Sequence, residues 1–184
     1  MIDAWRYVAL ARAPAPGICC LGVPLGAFFL AAAIGCGPAS AKIAEAQLGT
    51  GVSLFEALNE GDTVYIVHGP QGGFHVFGSV RVKGIEPGDR MDLGSAKNPS
   101  TDFQVFRDAE RIDAGVASFT LGLDPVPGTN FYEIIGRFVI LNISSQAELD
   151  GLSIRVSVTV KDVNGQSAHD EKTLTAQTYT NQPL

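Results

Sequence analysis

Past Cys36 the chain contains no cysteine. All three, Cys19, Cys20 and Cys36, fall in its first 36 residues. A disulfide framework and a thiol nucleophile are therefore excluded for everything downstream. The only tryptophan, Trp5, lies in the same opening stretch. Helical periodicity is almost absent from the remainder, which argues against a bundle or a coiled coil. Positive charge is scarce as well. Thirteen basic residues face 19 acidic ones, a formal charge of −6, and setting aside residues 1–36 (Arg6, Arg12 and Asp3) makes it −7. Such a domain has no electrostatic attraction for nucleic acid and no basic patch for anionic lipid head groups. No serine sits in a Gly-x-Ser-x-Gly elbow, and no glycine-rich stretch opens a helix to cradle phosphate. No catalysis and no cofactor are expected.

The one long apolar run is N-terminal. Ile18 to Gly35 is eighteen residues without a charge, preceded by Arg6 and Arg12 and followed at once by Cys36. This is the layout of an export signal. Pro24 and the glycines Gly17, Gly22, Gly26 and Gly35 weigh against a stable membrane span. Two cleavage readings compete, with a retained N-terminal anchor as a third. Ala39-Ser40-Ala41 is an A-x-A site whose use would release a free periplasmic or secreted protein. Ala33-Ile34-Gly35-Cys36, in contrast, resembles the lipobox of bacterial lipoproteins, departing from it at Ala33, where that pattern most often carries leucine. The resemblance implies a lipidated Cys36 as the first mature residue. It also implies sorting to the outer membrane rather than the inner, since Gly37 is not the Asp that blocks it. Two or more acyl chains hold a protein stably at a membrane. The expected organisation is a signal peptide over 1–36, a flexible tether over 37–50 and one domain over 51–184.

Within that domain the chain alternates in period two between turn signals, the pattern of antiparallel β-structure. Strands are expected at Thr63–His68, Phe74–Gly84, Phe103–Phe106, Val116–Leu123, Tyr132–Ile143, Leu152–Lys161 and Lys172–Tyr179, with Ser53–Leu58 a short strand or a helical turn. Single helical turns are expected at Glu45–Gln47 and Ser145–Leu149. Phe138–Leu141 is apolar on both sides, as in a central strand covered on both faces. Seven or eight strands in this length point to an all-β, antiparallel two-layer sandwich, immunoglobulin-like in architecture only, with a small barrel as the alternative.

His68-Gly69-Pro70-Gln71-Gly72-Gly73-Phe74-His75 is the most distinctive stretch. If Gly69 and Phe74 close a four-residue loop, His68 and His75 face each other across the hairpin, with Cβ atoms about 5 Å apart. Two imidazoles so placed can share copper or zinc. A slip of one residue sends them to opposite faces. Gly69, Pro70, Gln71, Gly72 and Gly73 are the candidate binding loop. Asp162–Glu171 superficially suggests a calcium loop but lacks its alternating oxygen ligands, and Asn164-Gly165 is a hairpin turn. His169 stands near that turn and joins a metal site only if two sheet ends meet.

The Gly69–His75 segment, the strand Val76–Val82 after it and the Asp162–Gly165 turn resemble uncharacterised lipoproteins of myxobacterial type. The resemblance spans about residues 48–176, with only the Gly-Pro-Gln-Gly-Gly-x-His segment specific. It implies an address and a fold and no activity. The expected function is thus an exported, lipid-anchored cell-envelope protein that binds an envelope protein or polymer, or serves structurally. The alternative is a transition-metal binder using His68 and His75.

Overall fold

A computed structural model describes residues 43–70 and 72–180. The segment expected to be a signal peptide, Cys36 and Gln71 lie outside the described residues. Eleven strands account for the regular structure, with one 3-10 turn at Gln146–Glu148. Seven strands are long: β1 (Glu45–Thr50), β3 (Thr63–His68), β4 (Phe74–Lys83), β5 (Ser100–Arg107), β9 (Tyr132–Leu141), β10 (Ser153–Lys161) and β11 (Ser167–Thr178). Four are stubs: β2 (Glu56–Ala57), β6 (Glu110–Arg111), β7 (Ser118–Thr120) and β8 (Asp124–Pro125). The fold is all-β, as the alternation in the sequence requires. No helix among the described residues is long and apolar enough to cross a membrane.

One layer runs β2-β1-β4-β9-β8 and the other β11-β10-β5, with β6 and β7 flanking β5. β3 belongs to both. Its first four residues pair in parallel with Thr175–Thr178 of β11, and its last two pair antiparallel with Phe74 and His75 of β4. That parallel pair is the one departure from the expected antiparallel pattern. On the far side the segment after β6 performs the same service. Asp113 bridges Leu141, Asn142 N–H donates to Ile112 O at 2.7 Å, and Ile112 N–H donates to Val105 O on β5 at 2.8 Å. The two layers are therefore hydrogen-bonded to each other along both flanks.

The core between them takes the inward set of each strand. Val76, Val80, Val82 and Val139 come from one layer, Phe103, Val105, Ile154, Val156, Val158 and Leu174 from the other. Gly78 makes room for the Phe103 ring, which a Cβ there would meet at 2.9 Å. Arg155 and Glu171, an ion pair at 2.7 Å, mark the outward face of β10 and β11.

The tether expected over 37–50 ends earlier. Residues 45–50 form β1, which pairs with β4 and lies against β10 and β11. Leu48 is completely buried, and its N–H donates to Asp170 Oδ2 at 2.7 Å. The small residues around it hid its role, because only Leu48 of this stretch is a large core side chain. The helical turn expected at Glu45–Gln47 is part of the same strand. A second difference concerns β9. Val139 and Leu141 are buried, but Phe138 is 55 % and Ile140 43 % exposed. This strand is covered on one face only.

Candidate functional site

The β3–β4 connection decides the fate of the two histidines. His68 pairs with Phe74 and Val67 pairs with His75. The expected facing pair is shifted by one residue, so His68 and His75 leave opposite faces of the hairpin. The cause is loop length. Gly72 and Gly73 both adopt positive φ, near 81° and 82°, which lets five residues, 69–73, make the connection. Gly69 N–H donates to Gly73 O at 3.0 Å and closes it. A metal held jointly by the two imidazoles needs the other register. His169 is also remote. It sits opposite Thr159, six residues along β11 from the start of the β3 pairing at Thr175, a span of about 20 Å. No group of three or more histidine, cysteine or carboxylate side chains suited to a metal occurs among the described residues.

His75 points to the outer face of the first layer yet is only 7 % exposed. Aromatic neighbours bury it. Its ring centroid lies 4.6 Å from Phe138 and 5.2 Å from Phe77, edge-on to both. Its Nε2 is buried and has no hydrogen-bond partner. Burial, and secondarily the charge on nearby His68, hold its pKa below the ordinary 6.5, so the ring is neutral at neutral pH. Phe138, Ile140, Phe74 and His75, with Gly69, Pro70, Gly72 and Gly73 of the loop, line a depression of about 250 Å³. The candidate loop thus does border a concave surface.

A larger cavity lies beside it. β3 touches β4 only at its last two residues before leaving for the other layer. That departure opens a cleft between β3 and the end of β1. Its volume is about 500 Å³, and Thr50, Gly51, Val52, Glu56, Thr63, Tyr65, Val67, Phe77 and Tyr179 line it. The segment after β1 forms one wall. It is fixed in place by Thr50 Oγ1, which donates to Phe77 O at 3.0 Å, and by Phe55, which lies under the Arg81 guanidinium at 4.4 Å. A bulge helps. β9 gains one residue where Gly78 and Val80 face Arg137 and Ile134. Gly136 there has φ 69°, its N–H donates to Ser79 Oγ at 3.0 Å, and a Cβ on it would collide with Val52 O. Ser79 is thus a buried structural bridge between β4, β9 and the segment after β1.

Tyr65, Val67, His75, Phe77, Phe138 and Ile140 together make an uncharged, largely aromatic strip across β3, β4 and β9. Sequence reasoning missed Tyr65, Phe77 and Tyr179. The signal was present: Thr63–His68 and Tyr132–Leu141 are apolar on both alternating sets, while a two-layer fold can cover only one set of each strand.

The Asp162 turn is structural. Asp162 is buried, Oδ1 accepts from Asn164 and Gln166 N–H at 2.8 and 2.9 Å, and Oδ2 accepts from Glu86 N–H at 2.9 Å. Its oxygens are committed to backbone amides, which leaves a calcium ion little to bind. Asp113 is similarly engaged. Burial raises its pKa, but hydrogen bonds from Arg111, Val105 N–H and Gly115 N–H outweigh this and hold it below 3.8.

No protein family, no curated protein and no solved structure matches this chain.

Proposed function

We propose that this chain is an exported cell-envelope protein, held at a membrane by a lipid on Cys36, whose β-domain is a non-catalytic binding module for an envelope protein or polymer. The uncharged Ile18–Gly35 run and the Ala33–Cys36 sequence support the address. The outer membrane is favoured over the inner, with a free periplasmic form as the alternative. The exposed aromatic strip carries the binding half of the reading. Large exposed apolar patches on a soluble domain mark interaction surfaces.

The chain joins the domain at Glu45, which pairs with Lys83 at the C-terminal end of β4. The Gly69–Gly73 loop and the strip lie at the N-terminal end of the same strand. Ten residues of β4 separate the two ends by about 30 Å. The start of β1 and the loop end of the strip therefore lie at opposite ends of β4. The alternative reading, a transition-metal binder using His68 and His75, is the less favoured because the two residues leave opposite faces of the hairpin.

Intact mass spectrometry of the protein recovered from bacterial membranes tests this. The expected product begins at Cys36 and carries acyl mass. A chain beginning at Lys42 without added mass, or one recovered from the cytoplasm, sinks the anchor.

A further inference from the structure

The cleft between β1 and β3 has a lining that the export reading does not use. The rings of Tyr65 and Tyr179 stand 5.6 Å apart at 72°, so they form two walls of a corner. Phe77 adds a third aromatic surface to the same cavity. Glu56 lines it too, exposed and in none of the ion pairs among the described residues. No lysine or arginine lines it.

We propose that this cavity binds an organic cation through an ammonium group, with Tyr65, Tyr179 and Phe77 as aromatic walls and Glu56 as the counter-charge. Aromatic faces carry negative potential and attract a cation within about 6 Å of the ring centre. Rings meeting at a steep angle offer more than one face to a compact charge. The carboxylate completes the complementarity, and it repels anions, as does the acidic domain around it. An uncharged ligand of the same shape would leave Glu56 without a role. The volume of about 500 Å³ is ample for an ammonium head group and part of the molecule that carries it. The ammonium is either a free quaternary cation or a lysine side chain of a partner protein. The inference rests on the outer face being the binding surface and is independent of how the chain is anchored.

Isothermal titration of the full-length protein in maltoside micelles tests it. Three probes are used: choline, its neutral isostere 3,3-dimethyl-1-butanol, and N-acetyl-lysinamide. Saturable binding of choline or N-acetyl-lysinamide is expected, with the isostere weaker by about tenfold. The tighter of the two cations names the source. Glu56→Gln and Tyr65→Ala should each weaken the cation by about threefold or more, and Tyr65→Phe should restore it. Circular dichroism and melting temperature should stay unchanged, because both side chains are on the surface. Equal binding of cation and isostere overturns the proposal and leaves an apolar pocket. So does a lack of saturation at tens of millimolar cation. Either failure alongside acylated Cys36 removes the cation site and spares the anchor.

Discussion

Replacing Leu48 by alanine distinguishes a strand from a tether before residue 51. Leu48 is fully buried, its N–H is held by Asp170, and its carbonyl accepts from Leu58 N–H at 3.1 Å. Truncating a buried leucine to alanine costs about 2–5 kcal/mol, the larger values where the surroundings cannot collapse. Here the side chain lies between a paired β4 and the β10–β11 layer, so collapse is resisted, and a loss of about 3–4 kcal/mol is expected. That is a large share of the stability of an ordinary domain, about 5–15 kcal/mol. Ile43, two residues before β1 and 77 % exposed, is the control: Ile43→Ala should stay within about 0.5 kcal/mol. Urea denaturation provides the assay. The midpoint should fall sharply for Leu48→Ala while the slope is unchanged. A loss under about 0.5 kcal/mol at Leu48 would show that β1 does not unfold with the domain, and the reasoning from burial would fail.

Asp162→Ala strands three backbone N–H groups and should cost about 2–4 kcal/mol; calcium should leave the melting temperature of the parent protein unchanged, and a calcium-dependent rise would contradict the structural role. His75 sets a pH dependence. Its folded pKa is below 6.5, so between 6.5 and that lowered value the unfolded chain holds a proton that the folded chain lacks. Stability therefore falls as pH drops below 6.5 and is level above it. His75→Leu should remove that slope in urea midpoints, and an identical slope in the variant would refute the assignment. Asp113 and Asp170 act in a lower window. Burial raises both, but Arg111 and Lys172 with backbone N–H groups outweigh it, so their contribution is present above 3.8 and is lost as pH falls through the depressed values.

The long strands were legible because their inward residues are large and alternate cleanly. Ile154, Val156, Val158 and Val160 are all buried, as period two requires. β1 was not, since Leu48 is flanked by Gln47 and Gly49 and the pattern has one clear tooth. The His68–His75 pairing depended on loop length, and two consecutive glycines leave that length open: each residue of slippage changes which imidazole faces which. The aromatic strip was visible only as excess. Phe138 and Ile140 were read as covered because strands apolar on both faces are ordinarily central. Here they pair with β4 on one side, β8 reaches only Tyr132 and Glu133 on the other, and no third layer exists over the described domain. Tyr179 joins the cleft through the β3–β11 parallel pair, a long-range crossing that no local pattern announces.

The stubs at the sheet margins acquire meaning if the domain is tethered to a surface. A lipid-held protein diffuses in two dimensions, where neighbours meet often and in similar orientations. Side-by-side encounters of that kind favour strand-to-strand polymerisation wherever a long edge is free. Here β2, β6, β7 and β8 are two or three residues each. Charges at Glu56, Glu110, Arg111 and Asp124, and a proline at Pro125, interrupt what little ladder they offer. Hydrogen bonds between the layers close both flanks. Crowding such a module into a dense carpet would bring short, charged margins against its neighbours at these four stubs, which limits the ladder that they can extend.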